Sequence, residues 1–188
     1  MSAPEVVRLR SGANVALAAL MPAPGEVVVG FGWRVVESRG PAVQLVPSAI
    51  LCNAQGRALS GEHLVFFNQL ASPDGSVTVA ADSPDEEQIE VDLREVPASV
   101  DKIVLMVYID PDLRSPGTFA AVRHAFFRVC DRSGRELARY DIEDYSGEVN
   151  AMIFGELYRH RGEWKVRAVG QGYSTGLRGV GESFGITL

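Results

Sequence analysis

Apolar and polar residues alternate through much of this chain with the two-residue period of a half-buried strand, and turn-forming residues break the pattern at short intervals. Val27 to Trp33 is β-branched and aromatic, with Gly30 and Gly32 allowing a bulge or a close backbone approach. Gln44 to Cys52 and Leu64 to Asn68 read as strands, separated by the turn Asn53-Ala54-Gln55-Gly56. Ser72-Pro73-Asp74-Gly75 is a strong turn, because proline presets φ and glycine accepts a positive one. Lys102 to Ile109 is apolar on both faces, as a central strand covered on both sides must be. Ala125, Phe127 and Val129 alternate with Phe126, Arg128 and Cys130 before the turn Asp131-Arg132-Ser133-Gly134. Ala151 to His160 and Glu163 to Ala168 form a hairpin about Arg161-Gly162, with Trp164, Val166 and Ala168 facing a core and Lys165 and Arg167 facing water. Helical signals are few: one turn from Thr118, and a short terminal helix over Ser174 to Phe184 broken by Gly179 and Gly181. The pattern predicts an all-β fold, a two-layer sandwich of mostly antiparallel sheets with short helical pieces.

At 188 residues the chain matches the roughly 100–200 residues of one domain, so residues 1–188 are expected to share one core. The net charge of −6 is unevenly placed. Residues 1–61 hold five basic and three acidic residues, 62–112 two and twelve, and 113–188 eleven and nine, leaving +2, −10 and +2. An acidic middle argues against nucleic-acid binding and for a local cation site or a solvated acidic face. The first residues lack the basic start and apolar run of a signal peptide, and no apolar stretch nears the ~18 residues of a membrane span, so a cytoplasmic protein without membrane insertion is expected. Cys52 and Cys130 read as buried free thiols.

Catalytic signatures are weak. His63, His124 and His160 have no Gly-x-Ser-x-Gly elbow beside them, both cysteines sit in apolar strands, and histidine and cysteine never cluster at zinc-ligand spacing. No enzyme is expected. Gly170 to Gly176 is glycine-rich but lacks the spacing of a dinucleotide or P-loop cradle, and reads as a tight loop. The acidic stretch Asp82 to Asp92 holds six carboxylates in eleven residues. Hard cations take six to eight oxygens, and Asp82, Asp85, Glu86 and Glu87 offer several; a solvated loop leading into a strand is the competing reading.

Several stretches together resemble the TerD family of bacterial tellurium-resistance and general-stress proteins. Leu9 to Leu17 is similar to the family's Leu-x-Lys-Gly-x-Asn-x-x-Leu, Val29-Gly30-Phe31-Gly32-Trp33 to its Val-Gly-Leu-Gly-Trp, and Phe66-Phe67-Asn68 to its Phe-Tyr-Asn. Asp85-Glu86-Glu87-Gln88-Ile89 resembles Asp-Asp-Glu-Gln-Ile, and Phe154 to His160, Glu163-Trp164-Lys165 and Ala168 to Tyr173 match the C-terminal half. The resemblance implies a calcium-binding β sandwich that works in a stress-resistance system as a binding or scaffold protein, with other proteins of that system as partners.

Two departures bear on the calcium. The family's Phe-Asp-Leu-Asp-x-Ser-Ala, whose aspartates help bind the ion, stands here as Val43-Gln44-Leu45-Val46-Pro47-Ser48-Ala49. Its long glycine- and acid-rich loop is shortened to Ala81-Asp82-Ser83-Pro84-Asp85-Glu86-Glu87. Losing two charged ligands and several carbonyls weakens hard-cation affinity by several kcal/mol, at about 1.4 kcal/mol per tenfold. The expectation is a divergent member with calcium binding weakened or lost, any residual site resting on Asp82, Asp85, Glu86 and Glu87. A fully calcium-binding relative and an interaction module without an ion are the alternatives.

Overall fold

The computed structural model describes residues 5–36, 43–80, 87–111, 117–143 and 148–188, with Glu87 described by its backbone alone. Among the described residues, besides three short 3-10 turns, twelve strands and one α-helix follow in order: β1 Val7–Leu9, β2 Asn14–Ala16, β3 Glu26–Val35, β4 Leu45–Cys52, β5 Leu64–Val65, β6 Val77–Ala80, β7 Glu87–Asp92, β8 Lys102–Ile109, β9 Val122–Asp131, β10 Glu136–Asp141, β11 Ala151–His160, β12 Glu163–Tyr173 and α1 Gly176–Ser183. They form two six-stranded sheets, ordered β1-β10-β9-β3-β7-β6 and β2-β12-β11-β8-β4-β5. Every pairing is antiparallel except that of β1 with β10. The expected two-layer sandwich is the observed architecture.

Strict alternation decides which side chains enter the core. Val27, Val29 and Phe31 of β3, Ile89 and Val91 of β7, and Phe127 and Val129 of β9 meet Ile103, Leu105 and Val107 of β8 and Phe154 and Leu157 of β11 between the sheets. Phe31 and Phe154 touch across the gap, with ring centroids 5.9 Å apart. Gly155 lets the Phe127 ring of the opposing sheet approach β11, since a Cβ there would lie 2.5 Å from that ring and 2.6 Å from the Arg167 carbonyl oxygen.

The second sheet is buried on its outer face as well. Ile50, Val104, Met106, Tyr108 and Ile153 form a separate cluster beneath Val180 of α1 and Ile186 beyond it. The helix continues through Gly179 and Gly181, where the sequence suggested a break. Gly181 is itself buried against the Ile186 segment, so packing outweighs the propensity cost of about 1 kcal/mol per glycine. Gly185, at φ +82°, ends the helix: its N–H donates to the Glu182 carbonyl (3.1 Å) and that of Ile186 to Gly181 (2.8 Å), which satisfies two terminal carbonyls and folds Ile186 into the cluster.

Two other sequence expectations need correction. The strand expected over Leu64 to Asn68 ends at Val65, because Phe66 and Gln69 exchange backbone hydrogen bonds (3.0 and 2.9 Å) and close a tight turn. Gly170 lies inside β12 rather than in a loop; its positive φ of +71° leaves space that the Tyr140 hydroxyl fills. Among the described residues, no helix is long and apolar enough to cross a membrane. Because Gly155 sits where any side chain would overlap both Phe127 and backbone, Gly155→Ala is expected to lower unfolding stability by about 1–3 kcal/mol, read from the urea midpoint. An unchanged midpoint would contradict the close packing described.

Candidate functional site

The strand β7 divides the acidic stretch in two. Ile89 and Val91 point into the core, so Glu90 and Asp92 take the outer face of the first sheet, opposite Val28 and Glu26. Asp92 accepts hydrogen bonds there from the backbone N–H and Nε of Arg94 (3.1 and 3.2 Å). This half is a solvated, ion-paired sheet face. Of the other half, Asp82, Asp85 and Glu86 lie outside the described residues, as does the side chain of Glu87, whose backbone opens β7 opposite Phe31.

The β6–β7 connection nevertheless has fixed anchors, and they lie beside the second sequence feature. Val79, next to the last residue of β6, lines a cleft of about 220 Å³ together with Gln44, Leu45, Val46, Pro47, Phe67 and Asp110. The cleft opens at one end of the sandwich, where β4 begins and β8 finishes. Pairing of Leu45 with Ile109 and Val46 with Tyr108 sets that register, and the Asp110 N–H donates to the Gln44 carbonyl at 2.9 Å. The fold thus brings Gln44 and Val46 to the end of the molecule from which the acidic connection departs.

The donors offered there are few. Gln44 is exposed and presents a neutral amide, Val46 is half-buried and packs on the cluster beneath α1, and Asp110 is the one carboxylate among the described lining residues. A hard cation selects several charged oxygens, so these residues alone do not fit it. Among the described residues no group of three or more His, Cys, Asp or Glu is placed to hold a metal ion. Asp110 and Phe67 are site residues that the strand pattern did not single out. The signal available was an acidic residue directly after an all-apolar strand and before Pro111.

The three histidines lie on separate stretches of surface. His63 Nδ1 lies 2.7 Å from the Ser60 hydroxyl on a surface turn, where Ser60 also caps the Glu62 N–H; His124 and His160 are exposed. The motif Phe154 to His160 is structural in its contacts. Glu156, 7% exposed, bridges Lys102 (3.5 Å) and Arg167 (3.1 Å). Arg159 lies 4.5 Å over the Trp164 ring and donates to the carbonyls of Val96, Pro97 and Val100.

Both cysteines are buried thiols outside any disulfide. Burial pushes the Cys52 thiol up to about 12, with the Lys102 ammonium opposing the shift and Glu156 adding to it. At neutral pH such a thiol holds almost no thiolate, which is the nucleophilic form. Ellman's reagent is therefore expected to label Cys52 in the folded protein at a rate set by unfolding, and promptly in denaturant. Labelling of the folded chain as fast as a free thiol would contradict that environment.

A family model described as the TerD domain matches residues 6–184. The chain is 41% identical over 187 residues to tellurium resistance protein TerD of Serratia marcescens, covering 96% of this chain and 97% of that one. It is 38% identical over 192 residues to general stress protein 16U of Bacillus subtilis, covering 97% and 98%. A crystal structure of a homologue of telluride resistance protein (TerD) from Streptomyces coelicolor A3(2) superposes with a TM-score of 0.62 at 22% identity, covering 81% of this chain and 92% of the other, and so shares the fold. The family match spans the sandwich from β1 through α1, and on that evidence the chain belongs to the TerD family.

Proposed function

We propose that this protein is a non-enzymatic binding or scaffold module of the tellurium-resistance stress response, with its divalent-cation site weakened or lost. Family membership supports the stress-response setting. The observation that carries the reduced site is the composition of the cleft at the start of β4. Gln44 and Val46 occupy the two positions at which the family pattern has aspartates, leaving Asp110 as the carboxylate among the described lining residues.

The physical argument is one of charge and ligand number. A neutral amide oxygen replaces one carboxylate and valine methyls replace the other, so two formal charges and up to three oxygens leave the coordination sphere. Asp82, Asp85, Glu86 and Glu87 supply the negative charge on which any residual calcium binding rests. Proteins of the same resistance system are the expected partners, meeting this chain through surface contacts rather than through a shared reaction.

Calorimetric titration tests the reading. The native chain is expected to show no saturable calcium site at micromolar concentration, whereas Gln44→Asp combined with Val46→Asp is expected to raise calcium affinity by about ten- to a hundredfold. Micromolar binding by the unaltered chain would overturn the reduced-site reading.

A further inference from the structure

The side of the sandwich that carries β1 and β2 ends in an open strand edge. β12 pairs with β11 from Glu163 to Tyr173, but β2 covers its other side only from Lys165 to Arg167. Gly12 and Ala13 then bond Ala168, and the Ser11 hydroxyl donates to the Val169 carbonyl at 2.8 Å. Among the described residues no strand lies beyond that point, so Gly170 to Tyr173 form the rim of the second sheet. Alternate backbone N–H and C=O groups of the rim point away from β11. After the register shift near Gly170, Gln171 to Tyr173 continue in line with Ile153 to Ala151. Such a rim is a template for another strand unless lysine, proline or other charge discourages pairing. Val169-Gly170-Gln171-Gly172-Tyr173 carries none of these, and Gln171 and Gly172 are exposed.

The charges beside the rim complement themselves. A crevice of about 630 Å³ lies along it, lined by Gly170, Arg10, Ser11 and residues 140–143. Asp141 is already held there, by Arg139 at 3.0 Å and Arg8 at 3.6 Å. Arg10 and Glu143 are exposed and, among the described residues, neither makes an ion pair. They also sit at different heights. Leu9, which precedes Arg10, is in register with Tyr140, while Glu143 lies three residues further along, up to about 10 Å at the rise of an extended chain.

This arrangement favours a second copy of the chain over an unrelated strand. A two-fold axis beside β12 reverses strand direction, so two identical rims meet antiparallel, and the higher charge of one copy comes to the height of the lower charge of the other. We propose that Gly170 to Tyr173 pair with the same segment of a second copy, antiparallel, with Arg10 facing the partner's Glu143 and Glu143 facing the partner's Arg10. Few residues take part, so the contact is weak and forms at high local concentration.

The test is sedimentation equilibrium of the full chain at low ionic strength from about 1 to 500 µM, with hydrogen exchange measured at both ends of that range. A reversible dimer is expected, with exchange slowed at high concentration across Gly170 to Tyr173. Arg10→Glu and Glu143→Arg, both at exposed positions that do not threaten folding, are each expected to weaken it at least about fivefold, because each reversal sets like charges together twice in the symmetric dimer. Combining Arg10→Glu with Glu143→Arg is expected to restore the native affinity. A monomer throughout the range, protection centred on another surface, single variants as tight as the native chain, or a double variant no tighter than the single ones would overturn the proposal.

Discussion

Strand β8 has no face for water. Ile103, Leu105, Val107 and Ile109 pack toward the first sheet, and Val104, Met106 and Tyr108 toward the C-terminal helix. Each such side chain is worth about 1.5–3 kcal/mol when buried, so a chain carrying this strand gains most by covering it twice. The first cover is the opposing sheet, through Phe31, Phe127 and Val129. The second is α1 with Ile186, held by the Gly185 turn and by the Ala58 N–H donating to the Phe184 carbonyl at 2.9 Å. With both faces of β8 covered, its end at Ile109 is free to carry chemistry, and Asp110 stands there beside Gln44 and Val46.

The strands of the core were legible because burial imposes its period on the sequence. Lys102 to Ile109 was readable as a doubly buried strand, and Trp164, Val166 and Ala168 as core residues, from residue type and spacing alone. Sequence pattern failed where a tertiary contact overrode a local rule. Gly179 and Gly181 look like helix breakers, yet the helix runs through both: Gly179 leaves room for the Thr175 side chain one turn back, and Gly181 lies against the Ile186 segment. Gly170 looks like part of a loop and is instead a strand position opened for Tyr140. The three-residue strands β1 and β2 are too short to show a period, and their pairing with β10 and β12 is long-range.

The candidate site was half legible. The resemblance drew attention to Gln44 and Val46, and the fold brings those positions to the end of the sandwich where β6 finishes. The acidic stretch was misleading as a unit: Glu90 and Asp92 belong to a sheet face, which alternation with Ile89 and Val91 already implied. Phe67 was noted only as part of the Phe66-Phe67-Asn68 motif and Asp110 not at all, because only the pairing of β4 with β8 and the turn after β5 bring them to the start of β4.

Thermal unfolding with and without calcium tests the central claim, a TerD-family sandwich with its cation site reduced. A ligand present at about a thousand times its dissociation constant stabilises a native protein by roughly 4 kcal/mol, or on the order of 10 °C for a chain of this length. Melting is compared in about 1 mM calcium and in excess EDTA, concentrations at which a micromolar site would show that full effect. The reduced site predicts midpoints within about 2 °C of each other; a rise near 10 °C on adding calcium would contradict it.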